Sequence, residues 1–146
     1  MFTKMHWLFT PTLAVLLILF GCKGKNPTGP EEQSDSISIN SVTPNSGLTP
    51  GIITAFVVNV EYVLASKDTG ELNIGFNTDI VGSYTLLTAA KALVSKGSGA
   101  HQFNVTIVTK DWGAAGDFSV YVNLSESPHE PSWTPLATDI RKLTFK

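Results

Sequence analysis

The chain has 146 residues, a formal net charge of −2, and hydrophobic and charged fractions of 42% and 15%. These values are typical of a chain that folds into one globular domain, and they exclude an intrinsically disordered chain. Without residues 1–21, which contain Lys4, nine basic residues remain against twelve acidic ones, and the net charge is −3. The basic residues are scattered, so no stripe could follow a phosphate backbone, and we expect no nucleic-acid partner.

The N-terminus has the features of an export signal. Lys4 gives the first six residues a positive charge, and fourteen uncharged residues follow from Trp7 to Phe20. A membrane-spanning helix needs about 20 apolar residues, whereas this run is shorter and contains Pro11. Residues 1–21 are therefore predicted to be a signal peptide.

The apolar run ends in Leu19-Phe20-Gly21-Cys22. This segment resembles the lipobox of bacterial lipoproteins, in which a small residue precedes the cysteine that begins the mature protein. The resemblance implies that the Cys22 thiol receives a diacylglycerol, and two or three acyl chains give stable anchoring in a membrane. The alternative is an incidental thiol after an ordinary signal peptide. Cys22 is the only cysteine, so the fold can contain no internal disulfide.

Residues 22–36 are predicted to be the lipidated cysteine and a flexible tether. Residues 23–36 contain Gly, Pro, polar and charged residues but no apolar one. Lys23 stands where lipoproteins retained on the inner membrane of enteric bacteria carry Asp. By that resemblance we expect a bacterial cell-envelope location, in the outer membrane where the organism has one.

Residues 37–146 are predicted to form the folded domain, because apolar and polar residues alternate from Ile37 onward. The strongest strand ends at Leu64, and residues 66–70 are predicted to form a hairpin connection to the next one. Gly97-Ser98-Gly99 separates two further segments. The residues expected to face the core are Phe56, Val58, Val60, Tyr62, Leu64, Leu72, Ile74, Phe76, Phe103, Val105, Ile107, Phe118, Val120, Val122 and Leu124.

About seven short strands separated by turns indicate an all-β fold, an antiparallel Ig-like β-sandwich. Residues 84–94 are less regular: the stretch from Thr88 to Leu93 could form a helical turn by propensity, but the neighbouring β-pattern favours two short strands. The segment from Ile39 to Gly51 contains an aliphatic strand, a proline, a Ser-Gly pair and a further glycine. It resembles the start of bacterial Ig-like domains of the IPT/TIG type, which implies the broad fold but no functional residue.

No catalytic, metal or cofactor site is predicted. His101 and His129 have no second ligand at metal spacing, and the folded part contains neither Gly-x-Ser-x-Gly nor Ser-x-x-Lys. Asp79, Asp111 and Asp117 could share a calcium ion, but turn-forming, solvated carboxylates are the simpler interpretation. We therefore expect no enzymatic activity, and a small hydrolase ranks last among the functional hypotheses.

Trp112 and Trp133 are the candidate ligand-binding residues, because both fall in loop-like segments. An exposed indole can stack on a sugar ring or anchor a protein contact, whereas a ring that packs inward covers the end of the core. Two functions remain open. The first is a protein-binding or structural module of the cell envelope that uses a strand edge or loops, and the second is a carbohydrate-binding accessory lipoprotein that uses the two tryptophans.

Overall fold

The computed structural model describes residues 33–77, 87–113, 116–128 and 134–146. These residues form an antiparallel, curled sheet, and the predicted all-β class is confirmed. The signal peptide and Cys22 lie outside the described residues. The strands of the sheet are β1 (Ser36–Thr43), β2 (Ile53–Phe76), β3 (Leu87–Val108), β4 (Phe118–Glu126) and β5 (Ala137–Leu143).

Strand β2 is the centre of the sheet, because it pairs with three other strands. Its first half pairs with β1 and its second half pairs with β4, while β3 follows it along both halves. Strand β5 extends the sheet from β4. The position of every other described strand therefore depends directly or indirectly on β2.

The hairpin predicted at 66–70 is wrong, because β2 continues through it. Leu64 pairs with Gly97 and Thr69 pairs with Ser95, so residues 65–68 form a bulge opposite Lys96 alone. The break expected at Gly97-Ser98-Gly99 is also wrong, since these residues lie within β3.

Residues 87–94 belong to β3 as well, so the favoured β-structure is present there and the helical alternative for Thr88 to Leu93 is wrong. Residues 84–86 lie outside the described ranges. Because several predicted short strands are continuous, the described residues contain five strands where about seven were expected.

The bulge stays within the sheet because the carboxylate of Asp35, the residue before β1, accepts hydrogen bonds from the backbone amides of the bulge. Asp35 Oδ1 accepts hydrogen bonds from the backbone N–H of Ala65 at 2.7 Å and of Ser66 at 3.0 Å, and Oδ2 accepts one from the Ser66 hydroxyl. Partial burial raises the pKa of the Asp35 carboxyl. The hydrogen bonds from Ser66 and Ala65 and the nearby Lys67 charge outweigh that effect, so the pKa lies below its ordinary value of 3.8.

Asp35→Asn should remove part of the pH dependence of stability. A carboxyl whose pKa is lower in the folded chain than in the unfolded chain stabilises the fold fully above the unfolded pKa. That contribution is lost as the pH falls through the folded pKa. We expect wild-type stability to fall below about pH 4, and the stability of the variant to fall less over the same range.

Urea unfolding at several pH values between about 7 and 2.5 measures this difference. Asp68→Asn is the matched control, because Asp68 lies on the same bulge with its side chain 95% exposed. The same pH dependence in Asp35→Asn as in the wild type would contradict the stabilising role of this carboxylate.

The core forms where the two ends of β2 meet. Phe56 and Phe76 lie 20 positions apart on one strand, yet their ring centroids are 5.2 Å apart, so β2 must bend back on itself. The Phe76 ring in turn lies 6.0 Å from that of Phe118, which lies 5.8 Å from that of Phe145. The predicted core residues are buried, except that Tyr62 is half-buried and packs against the core.

A glycine allows the close approach at the bend. Gly70 is buried, and a Cβ at this position would lie 2.8 Å from the Ser125 carbonyl oxygen and 2.9 Å from Leu64 Cδ2. Real Cβ atoms do not approach other atoms so closely, and the carbonyl belongs to the paired strand β4. The absence of a side chain at residue 70 therefore lets Leu64 pack against the strand beyond the bulge.

Gly70→Ala should lower the free energy of unfolding by about 1–3 kcal/mol, because the added methyl group overpacks this contact. Urea denaturation measures the loss. Ser98→Ala, at an exposed position of β3, is the control and should change stability by less than about 0.5 kcal/mol. If Gly70→Ala is as stable as the wild type, the contact with Ser125 and Leu64 does not restrict residue 70.

Side-chain hydrogen bonds join β1 to β5, two strands that are not paired with each other through their backbones. The Asp139 Oδ2 accepts a hydrogen bond from the Ile39 backbone N–H at 2.7 Å, and the Arg141 guanidinium donates to the Ile39 carbonyl oxygen. These contacts lie at the irregularity of β1 between Ile39 and Ser41. Both backbone groups of Ile39 on this edge are thereby satisfied, and β1 is held against β5.

Candidate interaction edge on strand β3

Strand β3 has a free edge in the part of the chain that the structure describes. The strand is 22 residues long and pairs with β2 alone. The backbone N–H and C=O groups along the other edge are therefore available to pair with an added strand. The sequence of β3 contains no proline, the residue that would interrupt such pairing.

Small residues leave the middle of this edge open. Ser98 and Ala100 are exposed, and a Cβ at Gly97 would meet nothing within 4 Å. At Gly99 the space of a Cβ is occupied by Tyr62, whose hydroxyl oxygen would lie 2.6 Å from it. The backbone of this segment is thus accessible from the edge, while the aromatic ring covers it from one face.

A shallow depression of about 450 Å³ adjoins this segment. It is lined by three rows of residues that cross β1, β2 and β3 in register: Ser36, Val63 and Ser98; Ile37, Tyr62 and Gly99; Ser38, Glu61 and Ala100.

The charged residues of β3 are directed toward β2. Lys91 Nζ lies 3.0 Å from Glu71 Oε1, and Lys96 Nζ lies 3.8 Å from Asp68 Oδ1. Lysines on an edge strand ordinarily discourage pairing with another chain. Here each ammonium group lies beside a carboxylate of the neighbouring strand, although both lysine side chains remain at least half-exposed. Leu93 on the same strand is 76% exposed, so β3 also offers apolar contact area.

Trp112 packs against the core and does not stand free. Its indole N–H donates to the Asn77 carbonyl oxygen at 3.0 Å, and Lys110 Nζ lies 5.2 Å from the ring centroid. The residue is half-buried and contacts the hydrophobic core. Trp133 lies outside the described residues.

Each of the other residues considered as ligands either contacts a different neighbouring residue or lies outside the described residues. His101 lies on β3 with its ring 4.5 Å from that of Phe103, and His129 lies outside the described residues. Asp111 accepts a hydrogen bond from the Gly113 backbone N–H at 2.9 Å. Asp117 pairs with Lys142 at 2.6 Å, while Asp79 is not among the described residues.

Across the described ranges, no group of three or more His, Cys, Asp or Glu residues is placed to hold a metal ion. No helix long and apolar enough to cross a membrane occurs in the same ranges.

The free edge of β3 does not follow from the sequence pattern. Its one local signal is the run Gly97-Ser98-Gly99-Ala100 in a strand without acidic residues, and the composition of this run predicts a break between segments. Which strand lies at an edge depends on pairing between residues far apart in the chain, so the alternation of residues along one strand does not reveal it. No protein-family model, curated protein or solved structure matches the chain significantly.

Proposed function

We propose that this protein is a non-catalytic lipoprotein of the bacterial cell envelope. Its domain would bind another protein that supplies an extra strand beside β3. In this proposal residues 1–21 are removed, Cys22 carries the lipid, and the domain belongs to the Ig-like β-sandwiches. The free edge of β3 is the observation that carries the proposal. Main-chain hydrogen bonds would supply affinity, and the depression beside Gly99 would select side chains of the added strand.

The lipobox resemblance at Leu19-Phe20-Gly21-Cys22 supports the anchoring part of this proposal. Carbohydrate binding through Trp112 and Trp133 has less support, because Trp112 is half-buried with its indole nitrogen engaged by Asn77. A solvent-facing ring would be needed to stack on a sugar.

Site-specific photo-crosslinking in the producing cell tests the proposal. A photo-reactive residue at position 100 on the β3 edge should give discrete adducts with another protein. The matched control is position 140 on β5, where Ile140 is 51% exposed. We expect adducts from position 100 and none of the same size from position 140. Equal adducts from both positions would contradict binding at the β3 edge.

A second measurement, detergent partitioning of the wild type and of Cys22→Ser, tests the lipid anchor separately from binding. Detergent partitioning should place the wild type in the detergent phase and Cys22→Ser in the aqueous phase or in the unprocessed form. Identical partitioning of both proteins into the aqueous phase would exclude the lipid anchor, and the result at position 100 would still decide whether β3 is a binding edge.

A further inference from the structure

A polar cleft lies between the first and last strands of the sheet. Strands β1 and β5 are not paired through their backbones, and together with the segment that follows β1 they border a cleft of about 470 Å³. We call it the seam cleft. Eight residues line it, of which Val42 alone is apolar and none is acidic. The other seven carry amide, hydroxyl, guanidinium or ammonium groups, all of which can donate hydrogen bonds.

Arg141 brings a positive charge without a paired carboxylate to the seam cleft. Its guanidinium donates to the Ile39 carbonyl oxygen, and this bond fixes the group at the cleft. The four ion pairs found among the described residues all involve lysines, so no carboxylate oxygen of those residues lies within 4.0 Å of the guanidinium. A guanidinium has five N–H donors, and within the described structure Arg141 uses one of its five for the bond to Ile39.

The carboxylate on the same side of β5 does not neutralise this charge by direct contact. Asp139 lies two residues before Arg141, and its Oδ2 accepts from the Ile39 backbone N–H at 2.7 Å. Its Oδ1 accepts from the backbone N–H of Ile140 at 2.8 Å. Both oxygens of Asp139 are therefore bonded to the main chain, and the residue does not line the cleft.

Neutral donors surround the guanidinium. The side chains of Asn40, Asn45 and Thr144 line the cleft and make no hydrogen bond to another described residue. Ser41 Oγ accepts a hydrogen bond from Asn59 Nδ2 at 2.9 Å, so its own hydroxyl proton can be donated to a ligand. The seam cleft thus combines one unpaired positive charge with several neutral donors.

We propose that the seam cleft binds a small carboxylate. The planar fork of a guanidinium matches the two oxygens of a carboxylate, and the single charge of Arg141 balances the single charge of such a ligand. A phosphate with nearly two negative charges would need a second free cation, whereas the ammonium of Lys142 already pairs with a carboxylate at 2.6 Å. The side chains of Asn40 and Asn45 would bond polar groups next to the carboxylate of the ligand.

Titration of the isotope-labelled full chain, kept in a non-ionic detergent, with N-acetylglycine tests this proposal. In heteronuclear NMR spectra the amide signals of the residues that line the cleft should shift saturably, with a Kd of about 1–10 mM at low salt. Added salt should weaken this binding, because the cleft is open to solvent. N-acetylglycinamide has nearly the same shape without the charge, and it should bind at least about tenfold more weakly.

Asn40→Asp and Arg141→Gln should each weaken the binding of N-acetylglycine at least about tenfold. The first variant is isosteric and places a carboxylate in the cleft, while the second removes the positive charge. Because Arg141 also bonds Ile39, Asn40→Asp preserves the test if Arg141→Gln is unstable. Asn104→Asp makes the same isosteric change on β3, outside the cleft, and this matched control should bind like the wild type.

Absence of saturable shifts in the wild type, or undiminished binding by Asn40→Asp, would overturn the proposal. Stronger binding of inorganic phosphate than of N-acetylglycine would also overturn it, because the cleft would then select a different anion. These results leave the β3-edge proposal unaffected. The cleft contains no residue of β2 or β3 and does not include either crosslinking position, and a small carboxylate forms no protein adduct.

Discussion

Val60→Asp is expected to unfold the domain. Val60 is 1% exposed and pairs with Ile39 on β1 and with His101 on β3, so a carboxylate there would have no water around it. Burial of an unpaired charge destabilises by about 4 kcal/mol or more, against a total stability of about 5–15 kcal/mol for a domain. Circular dichroism and the loss of a cooperative urea transition measure the result.

Ala55→Asp is the control for this variant, because it introduces the same carboxylate on the same strand at an exposed position. It should retain a cooperative transition, with a change of less than about 1 kcal/mol. If Val60→Asp melts like Ala55→Asp, residue 60 does not face a dry core, and the register of β2 with β1 and β3 is incorrect.

Phe76→Ala is expected to cost about 3–5 kcal/mol, the usual loss when a buried phenylalanine is truncated. Phe76 is fully buried, and its ring contacts those of Phe56 and Phe118. Its removal therefore leaves a cavity where both ends of β2 and the start of β4 meet. The urea midpoint should fall with little change in the slope of the transition.

Tyr121→Ala is the matched comparison, since Tyr121 is half-buried on β4 with its side chain on the opposite face from Phe118. It should cost clearly less than Phe76→Ala. Equal losses in both variants would mean that the aromatic contacts of Phe76 do not form the centre of the core.

The faces of the strands could be predicted because the signal is local. Successive side chains of a strand point to opposite sides, so the period-two spacing of Phe56, Val58 and Val60 defines a buried face whatever the neighbouring strands are. The same reasoning placed Phe103, Val105 and Ile107 in the core, and all three are buried. Tyr62 continues this alternation but is half-buried, because it lies over Gly99 near the free edge of the sheet.

The continuity of the strands could not be predicted, because it depends on contacts between distant residues. Residues 66–70 have the composition of a turn, yet residues 65–68 form a bulge within β2, where Asp35, some 30 residues earlier, accepts hydrogen bonds from the amides of Ala65 and Ser66. Residues 97–99 contain two glycines, and they stay within β3 because β2 pairs with them. The same local composition is compatible with a turn and with such a bulge.

The sequence by itself determined the all-β class, most of the core residues and the absence of an internal disulfide, because these follow from residue type and from alternation along the chain. The tertiary structure decided where the strands begin and end, which side chains close the sheet, and which strand keeps a free edge. Those features arise from pairing between segments that are far apart in the chain. The alternation within one strand does not specify its partner, because its backbone groups can bond to any strand of suitable register.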